Sequence, residues 1–348
     1  MPAKTGAAPD APARKPINLA LQGGGSHGAF TWGVLDRLLD DDRLEISSIS
    51  GTSAGAMNAV VLADGYMKDG VAGAKRALQG FWEQVSHASW LSPVQRSPAD
   101  IFLGNWSLEN SPAYLALDVA SRMFSPYDLN PFNINPLRDI LDKYVDFEAV
   151  RACTCLDLFI TATHVETGTA RVFSNKEITL DVTMASACLP HIYKAVEIDG
   201  EPYWDGGYMG NPSLWPLFYG SHCQDVVLVQ INPFHRKGTP KTAQEIVERI
   251  NEITFNASLL RELRAIDFVS RLIKEDRLDK TRYQDIRMHI IHNDAEMAKL
   301  EAASKLNTEW KFLQYQHGVG HRTAEAWLKT TFERIGNESS VDLHKMLN

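Results

Sequence analysis

Short apolar runs alternate with segments of helical periodicity in the first part of the chain. Residues 17–21 and 46–49 are apolar enough to be buried strands, and each is followed by a turn of small residues. Apolar side chains recur at helical spacing in residues 26–39, and residues 54–67 form a second predicted helix. This order of strand, helix, strand and helix predicts an α/β fold with a central, mostly parallel sheet.

The rest of the chain continues this mixture. A hairpin is predicted at residues 193–203, with its turn at Asp199-Gly200. Residues 87–135 combine prolines with aromatic residues, and two interpretations are open: a helical excursion packed on the core, which we favour, or a cap over an apolar site. The other predicted strands are 156–165, 170–173, 225–231 and 287–292, and further helices are predicted within 71–85, 180–188, 241–277 and 295–335.

Composition narrows the class of protein. The chain has 348 residues, 44% of them hydrophobic, and a net charge of −8, which disfavours a nucleic-acid-binding surface. The four cysteines lack the spacing of a zinc site, which indicates reduced, mostly buried thiols in a cytoplasmic protein. Residues 1–15 contain no apolar run of a secretory signal and predict a disordered tail. No apolar run is long enough to span a bilayer, so any membrane contact is expected to be peripheral.

A candidate nucleophile lies between the second strand and the second helix. Ser53 is the central residue of Gly51-Thr52-Ser53-Ala54-Gly55, a G-x-S-x-G sequence. In a nucleophile elbow the serine stands on a sharp strand-to-helix turn, where its neighbours must be small. Gly51 and Gly55 meet this requirement. The alternative is a plain turn of small residues without chemistry.

A glycine-rich turn follows the first strand and has three interpretations. Its G-x-G-x-x-G spacing matches a dinucleotide-binding turn, but the acidic residue that should end the next strand is missing, since Glu45 stands at that strand's beginning. A P-loop is rejected because no Lys-Ser/Thr follows the last glycine. The third interpretation is an oxyanion hole made by backbone N–H groups at a helix N-terminus. The residues concerned are Gly23, Gly24, Gly25, Ser26, His27 and Gly28.

The base that would activate Ser53 is less evident. None of the eleven histidines has a flanking pattern that identifies it. Asp205, in Trp204-Asp205-Gly206-Gly207, follows the predicted hairpin. On local sequence alone, an ordinary Asp-Gly turn is the better interpretation of this motif.

The three motifs in this order resemble those of the patatin-like lipid acyl hydrolases, over residues 16–231. The resemblance implies a three-layer α/β/α fold and a Ser–Asp dyad, with Ser53 as nucleophile, Asp205 as general base and N–H groups around Gly24 and Gly25 as the oxyanion hole. It implies neither a cofactor nor a metal. Residues 184–190 also resemble the family's segment before the aspartate. The chain departs from the family at His27, where Arg or Lys is usual, and at Gln22, where Asp is frequent.

The resemblance also implies a domain organisation and a function. We expect a catalytic domain at residues 16–235 and a mostly helical C-terminal extension, 236–348, packed on it. The expected activity is hydrolysis of carboxyl esters of lipids through an acyl-enzyme. Alternatives are an esterase for another hydrophobic ester such as an intracellular polyester, an α/β-hydrolase with a Ser-His-Asp triad, and a non-catalytic nucleotide-binding module. The expected partner is the lipid or ester substrate; peripheral membrane contact and homo-oligomers stay open.

Overall fold

The computed structural model describes residues 14–90, 92–219 and 223–348. Most of the predicted N-terminal tail, residues 1–13, lies outside them, whereas Lys15 already belongs to the first strand. The strands are β1 (Lys15–Leu21), β2 (Leu44–Gly51), β3 (Asp157–His164), β4 (Ala170–Ser174), β5 (Val196–Ile198), β6 (Glu201–Asp205), β7 (Asp225–Val229) and β8 (Arg287–Ile291). All of the predicted strands are thus confirmed.

These strands form one mixed sheet in the described residues. Its order is β5-β6-β3-β2-β1-β7-β8, with β4 paired to β3. The five strands β3, β2, β1, β7 and β8 run parallel, and β4, β5 and β6 pair antiparallel. The sheet is therefore mostly parallel, as the alternation of strands and helices predicts.

Helices flank the sheet. They are α1 (Gly28–Leu39), α2 (Ala54–Ser89), α3 (Pro98–Leu103), α4 (Pro112–Met123), α5 (Pro126–Leu129), α6 (Pro136–Tyr144), α7 (Phe147–Ala152), α8 (Leu180–Ala185), α9 (Pro216–Tyr219), α10 (Ala243–Lys274), α11 (Asp294–Met297), α12 (Trp310–Thr331) and α13 (Leu343–Leu347). The helices predicted at 54–67 and 71–85 are consecutive parts of α2, which is broken at Asp69 and Gly70.

The sheet is buried on both faces. Alternate residues of β1 enter different clusters: Leu19 and Leu21 pack with α1, α2 and α12, whereas Ala20 packs with α9, α10 and α13. Because neighbouring side chains of a strand point to opposite faces, the two clusters are the two sides of the sheet. The architecture is an α/β fold with helices on both faces, and β8 brings the C-terminal third of the chain into the same sheet.

The register of β2, β3 and β6 positions the two candidate catalytic residues. Gly51 is level with Ile160 across β2 and β3, and Ala162 is level with Asp205 across β3 and β6. Ala162 lies two residues beyond Ile160, and Ser53 lies two residues beyond Gly51. The pairing therefore brings Asp205 to the same height of the sheet as Ser53, with β3 between them.

Residues 98–134, which contain α3 to α5, are helical, but most of this segment does not pack on the core as we expected from the sequence. No residue of α4 is buried, and Phe102 and Phe132 are 90% and 87% exposed. Trp106 does pack against the core. Most aromatic side chains of this segment therefore face outward instead of filling the core.

Candidate active site

Ser53 lies in a sharp turn between β2 and α2. Its φ of 53° and ψ of −121° are rare for a residue with a side chain. Gly55 is required here because a Cβ at this position would overlap the Leu21 carbonyl oxygen of β1. Gly51 ends β2, and Ser53 immediately precedes the first turn of α2. A helix N-terminus stabilises negative charge placed beside it.

Ser186 holds this turn against β3. Its hydroxyl donates to the Thr161 carbonyl oxygen at 2.6 Å and accepts the Ser53 N–H at 2.9 Å. Its own carbonyl oxygen accepts the Gly206 N–H at 3.3 Å. This one buried serine therefore connects the turn that carries Ser53 with the Asp-Gly-Gly motif. It lies in the segment 184–190, which drew attention only through the family resemblance.

Asp205 ends β6 with its carboxyl group buried, and the whole residue is 1% exposed. The Gly207 N–H donates to its Oδ1 at 2.7 Å. Burial raises the pKa of Asp205 to about 7, although the Gly207 N–H, a hydrogen bond from the Ser53 side chain and the charge of Lys305 all act to lower it. The structure therefore brings the predicted nucleophile and the predicted base together.

The C-terminal helix α10 covers the Asp-Gly-Gly motif. The rings of Tyr208 and Phe255 lie 5.0 Å apart, and a Cβ on Gly207 would overlap the Phe255 ring. This packing accounts for the exclusion of water from Asp205 and hence for its raised pKa.

The glycine turn supplies a limited set of unpaired donors. The Gly23 N–H donates to Asn211 Oδ1 at 2.7 Å, and the N–H groups of His27 and Gly28 bond within the turn. In the described part of the chain, the N–H groups of Gly24, Gly25 and Ser26 have no acceptor. Of the six residues predicted to form the oxyanion hole, these three are the ones with free amides.

His27 is buried and neutral. Burial holds the pKa of His27 well below its usual range, and the charges of Lys305 and Arg236 lower it further. Its Nε2 lies 2.8 Å from Ser304 Oγ, which donates its own proton to the Glu301 carbonyl oxygen. Ser304 must therefore accept from His27, so the ring proton is on Nε2. No positive charge comes from this position of the turn.

Gln22, the other departure from the family pattern, has a structural role. Its Oε1 accepts the N–H groups of Ile231 and Asn232, both at 2.9 Å. Its Nε2 donates to Asn256 Oδ1 of α10 at 3.3 Å. An aspartate would lack this amide donor. Gln22 thus ties the glycine turn to the end of β7 and to α10.

Comparison with known families decides the relationship. The model of the patatin-like phospholipases matches residues 19–218, more than half of the chain. The chain belongs to the patatin-like phospholipase family. The recognition from three short motifs is therefore confirmed, and with it the assignment to a family of lipid ester hydrolases.

Solved structures add distant neighbours of this patatin-like protein. VipD from Legionella pneumophila is 15% identical, with a TM-score of 0.37 and coverage of 88% of this chain and 68% of VipD. The type III effector protein ExoU of Pseudomonas aeruginosa is 14% identical, with a TM-score of 0.34 and coverage of 91% of this chain. The chain spans only about half of ExoU, 53%. No protein of curated function matches the chain.

Sequence reasoning on this patatin-like chain missed Lys305. The prediction of a mostly helical stretch at 295–335 overlooks a break between α11 and α12, where residues Ala302–Leu306 form a 3₁₀ turn. That turn packs on the glycine turn: the Ser26 hydroxyl donates to the Ser304 carbonyl oxygen at 2.9 Å. A Cβ on Gly25, whose φ is +60°, would overlap the Lys305 carbonyl oxygen. No sequence signal marks these residues, since the contact joins positions 280 residues apart.

Proposed function

We propose that this protein is a serine hydrolase that cleaves carboxyl esters of lipids, with Ser53 as nucleophile and Asp205 as general base. The observation that carries the proposal is the buried carboxyl group of Asp205, which lies close enough to Ser53 for the serine side chain to lower its pKa. Membership of the patatin-like phospholipases supports the substrate class.

The reaction follows from these two side chains. Asp205 takes the hydroxyl proton while Ser53 Oγ attacks the ester carbonyl carbon. When the tetrahedral intermediate collapses, the bond to the leaving alcohol oxygen breaks and Asp205 returns the proton to that oxygen. Water then attacks the acyl-serine, Asp205 accepts a proton from it, and the carboxylic acid leaves as Ser53 regains its proton.

The negative charge of the intermediate falls on the former carbonyl oxygen. The free N–H groups of Gly24, Gly25 and Ser26, just before α1, are the donors that we assign to it. Loss of one such donor typically costs about 2.7–4 kcal/mol of transition-state stabilisation. The donors are backbone groups, and Asn211 fixes the adjoining Gly23 N–H, so they need no rearrangement during the reaction.

Labelling by a fluorophosphonate probe tests the proposal through its pH dependence. We expect a single adduct at Ser53, located by mass spectrometry of peptides. The base must be ionised to act, and burial raises the pKa of Asp205 to about 7. The labelling rate is therefore expected to rise about tenfold per pH unit below that value and to level off above it. An adduct elsewhere, or a rate independent of pH between about 5 and 9, would contradict the dyad.

We also propose that the exposed apolar segment of residues 98–134 contacts the lipid surface. In the described residues no helix is both long and apolar enough to cross a membrane. The segment adjoins the site on two sides. Lys194, between α8 and the hairpin that ends at Asp205, donates to the Pro131 carbonyl oxygen at 2.8 Å. Glu109 lies close enough to Glu301, beside the Lys305 turn, for their charges to interact.

Substitution of Phe102 and Phe132 tests this contact. We expect the double variant Phe102→Glu, Phe132→Glu to lose most of its sedimentation with phosphatidylcholine vesicles, because two charges replace side chains that are 90% and 87% exposed. Hydrolysis of a water-soluble ester should stay at the wild-type rate. Phe268→Glu, on α10 and 55% exposed, is the control. Equal vesicle binding by all three proteins would contradict the proposed contact.

A further inference from the structure

Lys305 brings a positive charge to the glycine turn from the distant C-terminal part of the chain. Its side chain is half-buried, and its Nζ donates to Asn232 Oδ1 at 2.8 Å. Asn232 Nδ2 in turn donates to the Gly23 carbonyl oxygen at 2.8 Å. Gly23 is next to the nucleophile, since a Cβ on it would lie 2.7 Å from Ser53 Cβ. Two hydrogen bonds thus connect the ammonium group with the peptide beside Ser53.

The charge of Lys305 has no carboxylate to neutralise it at contact distance. Among the described residues, no Asp or Glu oxygen forms an ion pair with its Nζ, and its hydrogen-bond partner is a neutral amide. The charge nevertheless acts on the site, because it lowers the pKa of both Asp205 and His27. Partial burial of an ammonium group without a carboxylate at contact distance costs free energy, which makes a structural purpose alone a poor explanation.

We propose that Lys305 supplies the positive charge that stabilises the oxyanion at the glycine turn, and that the turn Ala302–Leu306 is therefore part of the active site. The inference rests on the proposed function of Ser53 and Asp205. His27 is neutral, so the turn itself contributes only backbone dipoles. An ammonium group two hydrogen bonds away favours negative charge there, and it acts together with the backbone N–H groups.

The route through Asn232 gives Lys305 a positioning role as well. The Gly23 carbonyl oxygen points toward Asn232, and in a planar trans peptide the Gly24 N–H points the opposite way. Lys305 holds the Asn232 amide in the orientation that allows this bond, since Oδ1 accepts from Nζ. Lys305 thus polarises the Gly23–Gly24 peptide and fixes the direction of an N–H group assigned to the oxyanion hole.

The titration of Lys305 should be visible in the reaction. Burial lowers the pKa of Lys305 below its ordinary value of about 10.5, so the activity should fall at alkaline pH as the ammonium group loses its proton. The charged and titratable groups that act on Lys305, or on which it acts, are Glu248 and Glu252 of α10, Arg236 after β7, Asp205 at the end of β6 and His27 in the glycine turn.

Kinetics of Lys305→Met and Lys305→Arg with p-nitrophenyl butyrate, measured against pH, test the inference. For Lys305→Met we expect kcat to fall about 10- to 100-fold with little change in KM. In the plot of its kcat against pH, the rise at acidic pH should move to higher pH, because the charge that lowers the Asp205 pKa is lost. The fall at alkaline pH should disappear. Lys305→Arg should keep kcat within about threefold and also lose the alkaline limb, since guanidinium does not deprotonate.

Lys299→Met is the matched control, because Lys299 is 66% exposed and pairs with Glu296. It should behave as the wild type. A wild-type pH profile and kcat in Lys305→Met would overturn the inference. If that variant does not fold, an alkaline limb at the wild-type position in Lys305→Arg overturns it instead. Ser53→Ala distinguishes the two proposals. If Ser53→Ala keeps its activity, the Ser53–Asp205 dyad is rejected. If activity requires Ser53 but does not change on substitution of Lys305, only the inference about Lys305 is rejected.

Discussion

Ser53→Ala is expected to lower kcat for ester hydrolysis by about 10⁴- to 10⁶-fold, the range typical of removing a nucleophile. The loss should be of this size because no other hydroxyl takes its place: Ser186, which contacts the same turn, donates its proton to Thr161 and accepts from the Ser53 N–H. The assay should use both a soluble medium-chain ester and phospholipid vesicles. Fluorophosphonate labelling should disappear in the same variant.

The fold should survive this substitution. Ala keeps the strained φ of 53° and removes one oxygen from a half-buried side chain. Ser53→Gly offers a second measurement, since glycine adopts positive φ without strain and should raise the free energy of unfolding by about 1 kcal/mol. Both variants should be inactive, although their stabilities differ. Substantial activity in either one, with a native circular dichroism spectrum, would show that Ser53 is not the nucleophile.

The sheet and the turn at Ser53 could be predicted because their signals are local. The runs at 17–21 and 46–49, each followed by glycines, place the glycine turn and Ser53 after adjacent parallel strands. The carboxyl ends of such strands meet at one edge, so the two motifs lie close together without further information. Asp205 is different. Locally it resembles an ordinary turn, and its place beside Ser53 depends on the pairing of β6 with β3.

The parts that could not be predicted depend on contacts between distant segments. The hydrogen bond between Ser186 and Ser53 joins residues 133 positions apart in the sequence, and the one between Asn232 and Gly23 joins residues 209 positions apart. Lys305 bonds to Asn232, 73 positions away. The helical pattern of 295–335 also concealed the break that places Lys305 against the glycine turn. Likewise, composition does not separate an aromatic residue in the core, such as Phe312, from an exposed one, such as Phe132. Burial is a property of the folded surface and not of the residue type.

Asp205→Asn is expected to lower kcat about 10²- to 10⁴-fold, the range that a general base contributes. The substitution keeps the shape of the side chain, and an amide oxygen can still accept the Gly207 N–H. An amide cannot take the proton of Ser53. We therefore expect loss of activity at every pH, without the rise through about pH 7 that the wild type should show.

Although Asp205→Asn should lose activity, it should be more stable than the wild type at neutral pH. Burial raises the pKa of Asp205 from its ordinary value of 3.8 to about 7 in the folded protein. Between these two pH values the folded protein keeps a proton that the unfolded chain has released. Wild-type stability therefore falls as pH rises from about 4 to about 7. Asparagine carries no such penalty. The free energy of unfolding of the variant, relative to wild type, should rise by about 4 kcal/mol over that range.

Asp225→Asn is the matched control, since Asp225 is also buried in the sheet but has no place in the site. Burial alone would raise the pKa of Asp225, but hydrogen bonds from His289 and Arg287 outweigh it and lower the pKa to about 2. Its ionised form stabilises the fold at neutral pH, so this variant should be less stable there and should keep Ser53 labelling. Urea unfolding at several pH values measures the free energy of unfolding of both variants and distinguishes their expected changes. If Asp205→Asn were destabilised at pH 8 like Asp225→Asn, or stayed fully active, Asp205 would be a structural aspartate and the dyad would be wrong.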